Sequence, residues 1–485
     1  MKMRDVSWAL AAALLISVPV CAQNQSSDSQ QAAPSGPIQP LGSVFGGYSK
    51  LPAPAARGVS LADESQVYEP SQVTPDANTL AGAQPFGLGS LQHSRNIFDP
   101  SLKFTELGQT VTSLGGQTGF TPVSILGGSL NFDRTWGENE FTALYNGGDT
   151  LSSNSLIAHG QFHDLSLTEQ ILWARWHILL RDDFAAAPGA IFAGTGMGGP
   201  GLLAQSSAAL GASLTNVGQE FIPPDTVETG NVLRYRNSVL GQVEYSFSRR
   251  SAFTLSGSYG LLEFPYAGYI SSHMLNAQAG YDYELDPKDS IAVLASYGKI
   301  DYTGTSDSTR DYMAALAFGR KITGRVAFQV SAGPQRIQAM NGTGNFQLWF
   351  AAANSALSYE RRRGGMSLAF SRGVSAGSGV FLGSTTNTFS SSAHYLFTRF
   401  WTGTVNGGYS MNASLAPAGV ATTNFDNWFF GASLGRRLGQ HAEMNLNYGL
   451  QRQNSPAVCP VTSCGVSGFQ QTVGMTVNWH LRPAG

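Results

Sequence analysis

From about residue 102 to the end of the chain, apolar side chains recur at every second position, in runs of roughly 10–16 residues. In "WTGTVNGGYSM" (401–411), Trp401, Gly403, Val405, Gly407, Tyr409 and Met411 fall in one phase. Thr402, Thr404, Asn406, Gly408 and Ser410 fall in the other. Successive side chains of a strand point to opposite faces, so this is a strand with one apolar and one small polar face.

The pattern repeats as run, turn, run. "VLRYRNSVLGQVEYSFS" turns at "SRRSA" into "FTLSGSYGLLEF"; "MLNAQAGYDYEL" turns at "DPKDS" into "IAVLASYGK". "DYMAALAFGR" and "RVAFQVSAGPQ", "LWFAAANSALSYE" and "MSLAFSRG", and "NWFFGASLG" and "HAEMNLNYGLQ" pair likewise, and "GFQQTVGMTVNWHL" is the last run. About thirteen strands are expected from residue 232 onward. Five more are expected near 102–113, 121–135, 139–147, 155–172 and 175–184, giving about eighteen, with sixteen as the alternative. Segment 185–230, "AAAPGAIFAGTGMGGPGLLAQ…", is a long Gly-rich link that would either fold into the barrel mouth or cover its rim.

A two-faced strand also suits a soluble sandwich. Three features point instead to a transmembrane antiparallel up-and-down β-barrel over residues 101–485. The apolar phase carries almost no charge, Arg452 near a strand end being an exception; a Lys or Arg facing mid-bilayer costs roughly 2–4 kcal/mol. Aromatics gather towards strand ends, and Tyr245, Tyr281, Tyr283, Trp401, Trp428 and Trp479 are candidates for an interfacial girdle. Turns alternate short and long, as in barrels with tight periplasmic turns and longer outer loops. Closure satisfies every backbone group in lipid. With both barrel ends in the periplasm, the strand number is even. The basic turns at Arg249–Arg250, Arg361–Arg363 and Arg436–Arg437 then face the periplasm, and the loop holding Cys459 and Cys464 faces outward.

Composition fits this picture. Charged residues are 12% of the 485, about half the share usual in soluble domains, and there are 57 glycines. A net charge of -2 gives no sign of nucleic-acid binding. No apolar run is long enough for a spanning helix. "MKMRDVSWALAAALLISVPVCAQ" has a basic start, a short apolar core and small residues before a cleavage point after Ala22, so 1–22 read as a signal peptide. A lipid-anchored Cys21 is the alternative, disfavoured by Val18 and Val20. Residues 23–100, rich in Gln, Ser, Pro and Ala, read as a mostly disordered periplasmic tail, with a plug or partner-binding segment as the alternative. In an exported chain, Cys459 and Cys464 are expected to form a disulfide.

The polar phase would line a lumen. Its members are Arg234, Arg236, Gln242 and Glu244; Asn276, Gln278, Asp282 and Glu284; Gln329, Gln335, Asn354 and Glu360; and Asn406, Glu443, Asn445, Asn447 and Gln451. Mixed charge with many amides suits weak selectivity and hydrated solutes. "GTGMGG" (194–199) matches a dinucleotide loop but lacks the strand and helix that loop requires. "GVSAG" (373–377), read as a loop, and "GASLG" (431–435), inside a strand, match G-x-S-x-G without the strand–turn–helix of a nucleophile elbow. His159 and His163 share a strand face about 13 Å apart, too far to share one metal, and with His177 read as solvated lumen histidines. His394 stands beside Ser390 and Ser392 with no third group to orient it. No catalytic residue, cofactor or metal is expected.

The dyad repeats, as in "RVAFQVSAGPQ" and "FTLSGSYG", resemble those of bacterial outer-membrane β-barrel proteins of the porin type, over residues ~102–481. The terminal "NWHLRPAG" departs from the Phe or Tyr on which such proteins commonly end; Trp479 and Leu481 take that place. The resemblance implies an outer-membrane location and contact with its lipid. Since 16–18 strands leave an aqueous channel, the expected function is passive diffusion of small hydrophilic solutes. The alternatives are a partner-dependent barrel in surface-polysaccharide export, working through residues 23–100, and a non-conducting surface barrel. A homo-oligomer is compatible with all three.

Overall fold

The computed structural model describes residues 96–112, 118–152, 160–188 and 233–481, apart from 249, 266–267, 287, 324, 342–343, 362, 376–378, 380–381, 399, 418–421, 440 and 455–467. Among them are eighteen strands and no helix. The first five are β1 (Asn96–Thr112), β2 (Thr118–Trp136), β3 (Asn139–Ser152), β4 (Gly160–Trp173) and β5 (Trp176–Pro188). Next come β6 (Leu233–Ser248), β7 (Ser251–Glu263), β8 (Ser272–Glu284), β9 (Asp289–Tyr302), β10 (Ser308–Thr323), β11 (Val326–Asn341) and β12 (Gly344–Arg361). The last six are β13 (Gly364–Ser375), β14 (Ser384–Leu396), β15 (Trp401–Ser414), β16 (Asn424–Arg437), β17 (Ala442–Asn454) and β18 (Gly468–His480).

Each strand pairs antiparallel with its sequence neighbours, and β1 pairs with β18 to close the ring. This is the expected all-β barrel at the upper of the two expected strand counts. Several boundaries differ; β3, for instance, runs to Ser152, beyond the expected 147, and β2 begins at Thr118, ahead of the expected 121. β1 begins at Asn96, ahead of the expected 102, because "NIFDP" pairs with β2 although its Asp and Pro interrupt the alternation (Asp99↔Asn131, Pro100↔Leu130). β5 runs to Pro188, so 185–188 are strand, paired with Leu233–Arg236, rather than the start of the long link.

The links alternate. At one rim they are short: 137–138, 174–175, 249–250, 285–288, 324–325, 362–363, 397–400 and 438–441. Gly137, at φ 60°, supplies the left-handed conformation for the first of these. At the other rim they are mostly longer, up to 189–232, with 342–343 the short exception. Asn96 pairs beside the turn 137–138, and His480 pairs near it with Ser101, so both barrel ends lie at the short-turn rim. The strand ends that flank the arginine-bearing turns lie at this rim, and Asn454 and Gly468, the strand ends that flank the segment with Cys459 and Cys464, lie at the other.

The burial pattern inverts that of a soluble protein. The large side chains left exposed include Leu316 (68%), Trp349 (64%) and Val293 (57%), all in one phase of their strands. The opposite phase is largely buried and polar, with Gln242 at 2% and Asp282 at 0%. A contiguous apolar exterior of this kind is rare on soluble monomers.

Candidate functional site: the barrel wall and interior

Register carries one face from strand to strand around the ring. Gln242 pairs with Ser256, Ser256 with Gln278, and Gln278 with Ser296. Glu443 pairs with Asn478, and Asn478 with Lys103. By this continuity Arg234, Arg236, Gln242, Glu244, Asn276, Gln278, Asp282 and Glu284 all take the inner phase. So do Gln329, Gln335, Asn354, Asn406, Glu443, Asn445, Asn447 and Gln451, while the side chain of Glu360 lies outside the described ones. The polar phase read from sequence is thus one continuous surface.

The interior has two unlike sectors. On β13–β16 it is hydroxyl-rich and carries no carboxylate. Ser367 Oγ lies 2.6 Å from Ser392 Oγ, Ser375 2.6 Å from Ser384, and Thr404 Oγ1 2.6 Å from Ser433 Oγ. Thr386 donates to Asn412 Oδ1 at 2.9 Å, and Ser371 and Thr388 share another hydrogen bond. Half a ring away in strand order, β4–β6 carry Asp164, Arg181, Asp183, Arg236 and Glu244 on the same face. Arg181 Nε lies 2.6 Å from Asp183 Oδ2, and His177 Nδ1 lies 3.9 Å from Glu244 Oε2. Gln335 donates to Asp311 Oδ2 at 2.9 Å, and Asn445 to Glu443 Oε1 at 2.9 Å. The signal for this division was present in the sequence, since "NTFSSSAHYLFT" has a polar phase almost without charge; it needed the ring order to place it opposite the charged strands.

The six candidate girdle aromatics, Tyr245, Tyr281, Tyr283, Trp401, Trp428 and Trp479, all lie in the outer phase. Tyr281 and Trp479 are 44% and 52% exposed. At the short-turn rim, the rings of Trp176 and Tyr245 lie 4.5 Å apart, and the Arg436 guanidinium lies 5.0 Å from the Trp401 ring. Trp428 sits near the other rim, edge-on to Phe469. Sequence reasoning missed Trp136, Trp173 and Trp176, exposed beside the turns 137–138 and 174–175. Their adjacency to tight turns was the available signal.

Two readings change. His163 is in the outer phase of β4, where its Nδ1 shares a 2.9 Å hydrogen bond with Tyr145 Oη, so it does not line the interior. The strand register places Asp164, not His163, on the inner face. His177 and His394 are on that face. Ser375 of "GVSAG" ends strand β13, hydrogen-bonded to Ser384 and Thr386, and is not in a loop. Ser433 of "GASLG" lies within β16, as expected. Among the described residues no group of His, Cys, Asp and Glu is placed to hold a metal. Cys459, Cys464, His159 and "GTGMGG" lie outside the described residues, as do 189–230 of the long link and the chain before Asn96.

No protein-family model and no curated protein matches this chain. Several solved structures from Pseudomonas aeruginosa are similar. OccK2 (OpdF), in complex with glucuronate, is 10% identical, with 79% of this chain and 98% of that one covered and a TM-score of 0.39. The outer membrane protein OpdK is 10% identical over 80% of this chain and 98% of its own, with a TM-score of 0.40. OpdO is 11% identical over 80% and 98%, with a TM-score of 0.40.

Proposed function

We propose that this chain is an outer-membrane, porin-like channel for passive diffusion of small hydrophilic solutes. The observation that carries the reading is the inverted wall: Leu316, Trp349 and Val293 face outward and exposed, while amides, hydroxyls and carboxylates face inward. Apolar side chains turned to acyl tails and a polar lining turned to water are what a conducting barrel needs. The inner-phase residues from Arg234 to Asn447 line the path. The outer aromatics, from Tyr245 to Trp479, anchor the barrel at the two interfaces. Residues 1–22 direct export, and Cys459 and Cys464 close a disulfide in an outer loop.

A second reading, a non-conducting barrel, is favoured by one observation. Many inward polar side chains are buried, among them Gln278, Glu244 and Gln451. Conductance of the pure, full-length protein in a planar bilayer separates the two. Discrete current steps are expected. Membranes that stay silent while the protein is shown to be inserted overturn the pore and leave the closed barrel.

A further inference from the structure

The outer surface of β9–β12 near the long-link rim carries a group of cations that the lumen does not explain. Lys299 and Arg310 are directly paired across the β9–β10 ladder. Like charges in directly opposed positions repel and destabilise a sheet. Arg336, on β11, is paired with Tyr312, one outward step from Arg310. Three cations thus occupy three adjacent strands. Among the described residues the one acid paired with any of them is Asp301, whose Oδ2 lies 2.6 Å from Lys299 Nζ. Arg336 is held in place. It donates to Gln347 Oε1 at 3.0 Å, and its guanidinium lies 5.9 Å from the Trp349 ring.

The setting defines the ligand. On the way from the short-turn rim, the outward positions of β9 after Asp289 at its start are Ile291, Val293, Ala295 and Tyr297 before Lys299 is reached. On β11, after Val326 at its start, they are Phe328, Val330, Ala332 and Pro334 before Arg336. Four outward positions at two-residue spacing span most of a bilayer's apolar thickness. The cations therefore stand at the far edge of the apolar band, with the rings of Tyr297 and Tyr312 5.2 Å apart just beneath them. At the opposite rim the arrangement differs, since Arg320 there lies 3.5 Å from Asp289.

We propose that Lys299, Arg310 and Arg336 bind the phosphate-bearing head group of a glycolipid of the outer leaflet. This rests on the membrane setting and orientation of the pore reading, not on conduction. Guanidinium forks match phosphate oxygens, and three cations against one carboxylate suit a multiply charged anion. The aromatic rings below would pack against the first acyl carbons. Binding of the anion relieves the Lys299–Arg310 repulsion, so occupancy also stabilises this edge of the barrel.

The test uses the full-length barrel folded in detergent micelles, with bis-phosphorylated lipid A as the probe. Wild type binds it, and dephosphorylated lipid A binds at least tenfold more weakly. R310Q/R336Q weakens lipid A binding by about thirtyfold, as expected for losing two near-surface cations. R310K/R336K, which keeps both charges but loses the forks, binds more weakly than wild type and more tightly than R310Q/R336Q, and R134Q/R436Q at the other rim leaves binding unchanged. Heat-modifiable gel migration reports folding of each variant; should the double variant not fold, K299Q alone is read, with roughly fivefold weakening expected. Undiminished binding by the folded R310Q/R336Q barrel, or by K299Q where that is read, or equal binding of dephosphorylated lipid A, overturns the site. Displacement of lipid A by an equal amount of phosphatidylglycerol overturns the glycolipid assignment. Lipid A binding in a barrel that carries no current leaves this site standing and removes only the channel.

Discussion

Asp99 and His480 are 381 residues apart in sequence, yet Asp99 Oδ2 accepts a hydrogen bond from His480 Nδ1 at 3.1 Å. They sit on β1 and β18, at the seam where the ring closes. The backbone N–H of Leu481 adds a bond to Pro100 O at 3.0 Å beside them. A charge-assisted pair of this kind contributes about 1.5–3 kcal/mol. H480A and D99N are therefore expected to lower the temperature at which the folded band is lost on heated gels, and the double variant to cost less than the two singles added. Unchanged melting in both singles would show that backbone pairing alone holds the seam.

Neighbouring residues of one strand are predicted to answer oppositely to the same substitution. Val405 faces outward and is 46% exposed, whereas Asn406 is on the inner face. V405K places a charge in the apolar band and should cost roughly 2–4 kcal/mol in urea unfolding from lipid vesicles. N406K should lose far less. Equal losses would mean that the two faces do not meet different solvents.

The interior should prefer cations. Among the described residues, inner-phase acids (Asp99, Asp133, Glu140, Asp164, Asp183, Glu244, Asp282, Glu284, Asp311, Glu443) outnumber inner-phase Lys and Arg (Lys103, Arg181, Arg234, Arg236, Lys321, Arg437). In a salt gradient, the zero-current potential should show potassium favoured over chloride. The preference should shrink towards 1 M salt, where the Debye length falls to about 3 Å. D164N/D183N should lower it, while D149N, on the outer face, should not. A chloride preference in the wild type would contradict this charge balance.

The turn between β8 and β9 carries a pH-sensitive latch. Asp286 Oδ1 accepts from the backbone N–H of Lys288 at 2.7 Å and of Asp289 at 2.9 Å. These two bonds hold its carboxyl below the ordinary carboxylate range. A depressed carboxyl stabilises the fold above its unfolded pKa of about 3.9, and that contribution is lost as pH falls through the lower folded value. D286A should therefore unfold more easily than wild type at pH ~6, with the difference narrowing at pH ~2. A pH-independent difference would point to turn propensity instead.

Most of the barrel was legible because one rule, alternation, runs through it. Val239, Val243 and Tyr245 against Gln242 and Glu244 fix both the strand and its faces, since a one-residue slip would reverse them all. Where alternation failed, the reading failed. Asp99 and Pro100 disguised the start of β1, and only the pairing partner β2 reveals it as strand. Pro334, within β11, is the reverse case. Proline removes a ladder hydrogen bond and is usually kept from central strands. Here no register pairs are formed between Gly333–Pro334 and Ala314–Ala315, and a Cβ on Gly333 would fall 1.9 Å from Ala314 O. The strand accommodates Pro334 where its pairing to β10 is interrupted, while its pairing to β12 continues through Ala351. The interior's split into hydroxyl and charged sectors was readable strand by strand, but its opposition across the ring depends on closure, which no single strand encodes.

Pairing of β1 with β18 also sets a timing constraint on assembly. The partners of Ser101, Phe104 and Gln109 are His480, Val477 and Thr472, in the strand that comes after all seventeen others in chain order. Until they arrive, β1 has only one neighbour and its second hydrogen-bonding edge is bare. β18 must be in place before a sealed cylinder can exist, and a chain lacking it would carry two open edges, each a template for clumping with another copy.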